Sequence, residues 1–137
     1  MIGKLHHIGI ASRNIQADMS FYGLLGYAAK GDMREDAEAG IKVQFMSAEG
    51  QPDIELVQNL VKDGPMTVHL QARRKIFHFA YETDDIGGDA KKLIDEQGAM
   101  WLVPVTETES ADMSAWCYLA CRNMMILELV QARRRGR

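Results

Sequence analysis

Apolar and polar residues alternate with period two through Leu5-His6-His7-Ile8-Gly9-Ile10-Ala11, and again through Ile76-Phe77-His78-Phe79-Ala80-Tyr81-Glu82. Both stretches read as half-buried strands. A capping residue and an apolar face of helical spacing follow each one. Asn14 precedes Ile15, Met19 and Tyr22; Asp85 precedes Ile86, Ala90 and Leu93. Each helical pattern closes on a glycine, Gly26 or Gly98, suited to the left-handed position that ends a helix. Further strand patterns lie near 27–33, 40–48 and 53–59 in the first half, and near 99–106, 113–120 and 124–131 in the second. Glu55-Leu56-Val57-Gln58 recurs unchanged as Glu128-Leu129-Val130-Gln131. The chain therefore carries an internal repeat of about 72 residues, each copy reading β-α-β-β-β.

The expected organisation is a single α+β domain over 1–137. Module one spans 4–60, a linker 61–75, module two 76–131 and a tail 132–137. A short helix is expected between Pro65 and Arg73, since proline suits a first helical turn. The tail, with Arg133, Arg134, Arg135 and Arg137, reads as frayed and solvated.

Strand alternation sorts the side chains. Ile8 and Ile10 share a face with His6, opposite His7, Gly9 and Ala11. Phe77, Phe79 and Tyr81 lie opposite His78, Ala80 and Glu82. The bulky sets are expected beneath the helices, and the small Gly9 and Ala80 leave room beside the histidines. Glu55 and Glu128 stand between apolar neighbours, where a carboxylate is costly unless paired or metal-bound. If a pseudo-twofold axis relates the halves, His7, Glu55, His78 and Glu128 converge on one point. Such a mixed imidazole and carboxylate set suits one divalent metal ion, without choosing among Zn, Ni, Co, Mn and Fe. Gln44 and Met46, sharing the Lys42 face, are expected to line the same cavity. Trp116 and Tyr118 are expected to pack against a helix, and Met100-Trp101 and Met124-Met125 within their strands.

Composition narrows the function classes. The chain has 137 residues, 47% hydrophobic and 26% charged, which is enough to fill a core. A net charge of −3 offers no excess of cations for a phosphate backbone, so no nucleic-acid partner is expected. No apolar run approaches the ~20 residues of a membrane helix. No membrane partner is expected, and a cytoplasmic location is the default. Cys117 and Cys121 form no metal or disulfide framework and read as reduced thiols. Glu82, Asp84 and Asp85 read as helix-capping acids, Arg73-Arg74-Lys75 as a solvated basic turn, and His69 as a linker residue with no identified partner.

The segments LHHIGIASRNI, DIELVQ, FHFAYETDDI and MILELVQ resemble the vicinal oxygen chelate superfamily: glyoxalase I, methylmalonyl-CoA epimerase, extradiol dioxygenases, and fosfomycin and bleomycin resistance proteins. The resemblance covers residues 4–131 and is nearest to small glyoxalase-like or epimerase-like members. It implies paired βαβββ modules whose curled mixed sheets form a metal-binding cavity, with metal ligands at His7, Glu55, His78 and Glu128. It also implies a homodimer and a small-molecule substrate. The shared chemistry is proton transfer next to a carbonyl through a metal-stabilised enolate or enediolate. Glu128 and Glu55 are the candidate bases, and the sequence does not choose between them. Nor does it decide whether the site lies within one chain or between two. Epimerases carry glutamine where this chain has Glu55, and place an acid/base glutamate where it has Lys42 or Val43. Glyoxalase I carries a glutathione-binding arginine where it has Ala11.

The expected function is thus a metal-dependent lyase or isomerase of glyoxalase I or epimerase type, acting on a small oxo-acid, thioester or sugar-derived carbonyl compound. The alternatives are a non-catalytic small-molecule binding or resistance protein, whose members commonly lack the full ligand set, and an extradiol-type dioxygenase. A fourth protein ligand, Glu55, would crowd the latter's open positions for oxygen.

Overall fold

A computed structural model of the chain describes residues 1–110 and 112–133. The fold is α+β, with the β-α-β-β-β order occurring twice. The first copy comprises β1 (Ile2–Ser12), α1 (Ile15–Leu24), β2 (Ala28–Asp36), β3 (Ile41–Ser47) and β4 (Asp53–Asn59). The short helix α2 (Thr67–Gln71) intervenes. The second copy comprises β5 (Ile76–Thr83), α3 (Ile86–Gln97), β6 (Met100–Glu107), β7 (Met113–Ala120) and β8 (Ile126–Ala132). The contacts divide the chain into two compact units. One is His7–Phe77; the other joins Met1–His6 to the chain from His78 onward.

Within the first unit, β1 pairs parallel with β4, while β4 with β3 and β3 with β2 are antiparallel. In the second, β5 pairs parallel with β8, and β8 with β7 and β7 with β6 are antiparallel. A parallel pair needs a crossover, which α1 and the strands after it provide in one unit and α3 and its successors in the other.

The repeated residues act alike in both units. Asn14 and Asp85 occupy the helix N-caps, and their side chains accept from the backbone N–H of Ala17 and Gly88. Ser12 Oγ accepts from the N–H of Asn14 and Thr83 Oγ1 from that of Asp85. Gln58 Oε1 accepts from the N–H of Ile15 at 2.8 Å, and Gln131 Oε1 from that of Ile86 at 3.0 Å. The last residue of each ELVQ segment therefore ties a helix N-terminus to its sheet, satisfying a donor the helix cannot satisfy itself.

The cores follow the alternation. Ile10, Ile54 and Leu56 pack with Ile15 and Met46 under α1, joined by Met19 and Tyr22. Leu129, Cys117, Leu119 and Ala115 pack with Ile86 and Ala90 under α3, joined by Tyr81 and Leu93. Burial raises the Cys117 thiol to about 11 and pushes Cys121 up as well, and both are free thiols. A third cluster packs Ala11, Val57 and Met66 against Leu70 of α2 and Phe77. Phe77 thus departs from the expected position beneath α3.

Several details differ from the sequence expectation. The linker helix is shorter than 65–73, because Pro65 lies before it and Met66, without a side-chain capping bond, stands at its N-cap. Met124 and Met125 form the turn between β7 and β8, with Met124 at φ 74° and well exposed. Met100 and Trp101 are also exposed, since β6 is the terminal strand of its group. Arg133 is not a loose tail residue: its guanidinium donates to the carbonyls of Thr108 and Ser110. The expectation of fraying for Arg134, Arg135 and Arg137 lies outside the described residues. No described helix is long and apolar enough to cross a membrane.

Candidate metal centre

Each unit presents one buried imidazole beside one carboxylate. In the first, His7 on β1 is 1% exposed, and its Nε2 lies 4.0 Å from Glu55 Oε1 on β4. In the second, His78 on β5 is equally buried, and its Nε2 lies 3.5 Å from Glu128 Oε1 on β8. Parallel pairing creates both arrangements. Gly9 stands opposite Glu55 and Ala80 opposite Glu128. Small residues of the first and fifth strands thus occupy the positions beside the carboxylates, where bulk would fill the space.

Glu128 is 4% exposed. A carboxylate so deeply placed needs charge compensation or several hydrogen bonds. The donor chemistry fits a divalent cation: imidazole nitrogen and carboxylate oxygen both coordinate such ions at about 2.0–2.2 Å. Two donors sharing one ion at those lengths stand no more than about 4.4 Å apart. Both histidine–glutamate separations fall within that limit.

An aromatic ring braces each imidazole edge-on. Phe45 of β3 stands 5.3 Å from His7 at 88°, and Tyr118 of β7 stands 5.2 Å from His78 at 83°. The register explains the equivalence, since Phe45 faces Glu55 and Tyr118 faces Glu128 across antiparallel pairs. Trp116 extends the second wall, 5.3 Å from Tyr118.

These aromatics correct the expected lining. Gln44 and Met46 belong to the opposite face of β3. Met46 is buried under α1, and the Gln44 amide donates to the carbonyls of Gly31 and Phe45. Val43 and Phe45 share the face of Glu55 instead, and Lys42 does not. Likewise Tyr118 and Trp116 stand on the face of Glu128, while Ala115, Cys117 and Leu119, which alternate with them, face the helix. The signal was present in the sequence: Phe45 and Tyr118 are themselves a repeated pair, ten residues before each glutamate.

The remaining polar candidates have structural tasks. Asp85 caps α3, and Asp84 holds the amino terminus at 2.6 Å. Glu82 lies 3.9 Å from Lys4. His69 stacks on Phe77 at 5.0 Å, and burial together with nearby Arg74 pushes its pKa below the ordinary value.

A family model described as Glyoxalase/Bleomycin resistance protein/Dioxygenase superfamily matches residues 6–118. No curated protein sequence matches the chain. Among solved structures, a hypothetical protein from Bacillus halodurans C-125 is similar with a TM-score of 0.80 and 23% identity, covering 98% of this chain and 97% of that one. Methylmalonyl-CoA epimerase from Mycobacterium tuberculosis is similar with a TM-score of 0.78 and 17% identity, covering 97% and 90%. The Streptomyces coelicolor methylmalonyl-CoA epimerase in complex with 2-nitronate-propionyl-CoA gives a TM-score of 0.77 and 19% identity, covering 98% and 100%. At these identities the likeness is one of fold.

Proposed function

The chain belongs to the Glyoxalase/Bleomycin resistance protein/Dioxygenase superfamily, and on that premise we propose that it is a metal-dependent lyase or isomerase moving a proton next to a carbonyl group. His7, Glu55, His78 and Glu128 together hold one divalent ion. The observation that carries this reading is the duplicated pair: a buried imidazole with a carboxylate 4.0 Å away in one unit and 3.5 Å away in the other, at equivalent places in the repeat. The epimerases among the solved neighbours point to the same reaction class.

When bound, the ion supplies a Lewis acid for negative charge developing on a carbonyl oxygen. The chain supplies the rest. The two imidazoles are fixed by burial and by the Phe45 and Tyr118 edges, which keeps their nitrogens in place without rearrangement. Glu128 or Glu55 takes the proton from the carbon next to the carbonyl and returns it. β3 offers no carboxylate or imidazole on the face of Glu55, where Val43 and Phe45 stand. That favours a reaction served by the ligand carboxylates over one with a separate acid/base residue on each side. The substrate is a small oxo-acid, thioester or sugar-derived carbonyl compound.

The test is solvent deuterium incorporation next to the carbonyl, over a panel of such compounds, with and without added Zn, Ni, Co or Mn. Metal-dependent exchange is expected, and Glu128→Gln or Glu55→Gln, whichever removes the base, should slow it by about 10²–10⁴-fold. Exchange unaltered by either substitution, or absent throughout the panel with metal bound, would count against the proposal.

A further inference from the structure

A cavity of about 400 Å³ opens within the first unit, away from the histidine–glutamate pair, where β1 ends and α1 begins. Arg13, Asn14, Ala17, Asp18, Leu70, Arg73 and Lys75 line it. The backbone brings these residues together: the N–H of Ala11 donates to the carbonyl of Lys75 at 2.7 Å, holding the segment after α2 against the end of β1. Three cations face one carboxylate. Asp18 is committed to Lys75, whose Nζ reaches both its oxygens at 2.8 and 2.9 Å. Among the described residues, no carboxylate pairs with Arg13 or Arg73. Two guanidinium groups are therefore left to act on whatever enters.

The first turn of α1 adds little. Ile15 and Ala17 already donate their N–H groups to Gln58 and Asn14. An anion here is held by side chains, and planar guanidinium forks match phosphate oxygens in pairs. The volume exceeds what one inorganic ion needs and falls in the range of small-molecule sites. Ala17 and Leu70 give it an apolar wall. Arg73 has a positive φ of 57°, a position that glycine takes at least cost.

We propose that this cavity binds a phosphate ester of a small molecule, with Arg13 and Arg73 as its principal contacts. The phosphate belongs either to the far end of the substrate or to a separate ligand; the recognition chemistry is the same.

Calorimetric titration at low ionic strength tests this, with ADP and inorganic phosphate as probes. The full-length protein is used as wild type and as His78→Ala, so that phosphate affinity for a metal cannot imitate the site. ADP is expected to bind both proteins alike, and more tightly than inorganic phosphate. Arg13→Ala and Arg73→Gly should each weaken it about tenfold, and the exposed Arg34→Ala should not. Arg73→Gly relieves the left-handed backbone, so its melting temperature should hold or rise while affinity falls. A structural role for Arg73 would move the two together. Competition between ADP and a substrate of proton exchange would assign the cavity to the substrate's own phosphate; binding without competition would assign it to a separate ligand. Absence of ADP binding at millimolar concentration, an equal loss in Arg34→Ala, or loss of binding in His78→Ala alone would overturn the proposal.

Discussion

Cys117 illustrates how one burial decision fixes a residue's chemistry. It packs under α3 with no exposed surface, and desolvation of the thiolate raises its pKa to about 11. At pH 8 about one thiol in a thousand is ionised, and that fraction is shielded, so Cys117 should resist thiol reagents until the protein unfolds. Cys121 is half-buried and should label first; equal labelling rates of the two in the native state would contradict the packing. Unfolding returns the Cys117 thiol to its ordinary value near 9, so its contribution to stability is complete below pH 9 and falls as the pH rises toward 11. At this scale the sequence was only partly legible. His7, His78, Glu55 and Glu128 stood out because they repeat with ionisable side chains. Phe45 and Tyr118 repeat as well, but an aromatic in a strand is ordinary core material. Nothing in the period-two pattern alone says which face of β3 carries the site; pairing with β4, which sets Phe45 opposite Glu55, decides it.

Elements were read more faithfully than their ends, because their signals are local. Asn14 and Asp85 announce α1 and α3 by chemistry that acts over three residues. The limits of α2 depend on partners elsewhere, such as Asn59, whose Oδ1 accepts from the N–H of Met66. The C-terminal glycines also diverge. Gly98, at φ 67°, caps α3 directly, whereas α1 ends at Leu24 with Leu25 at the cap, and Gly26, at φ 93°, follows it. Why the repeat ends each copy in glutamine was not legible at all, since Gln58 and Gln131 reach helices more than forty residues away in sequence. Each of these bonds satisfies a helix N–H that would otherwise lack an intrahelical partner. Gln131→Ala should cost about 1 kcal/mol of unfolding free energy, measured by urea denaturation. Gln58→Ala should cost a similar amount. A neutral result for both would mean that water replaces the bond without penalty.

At the scale of the whole molecule, duplication is the organising fact. One βαβββ plan is used twice, and each use carries one imidazole and one carboxylate on neighbouring parallel strands. A single pair would be a weak metal site; the proposed function has both pairs act on one ion. The proposed function requires His7, Glu55, His78 and Glu128 to bind a divalent metal in common. The direct measurement is elemental analysis of protein purified without chelator or added metal, for the wild type, Glu55→Gln and His78→Ala. Circular dichroism should establish that all three are folded. Near-stoichiometric metal in the wild type, greatly reduced by a substitution in either half, is the expected result. Metal retained in full by His78→Ala or by Glu55→Gln, or a wild type that takes up none of Zn, Ni, Co or Mn on incubation, would contradict the account.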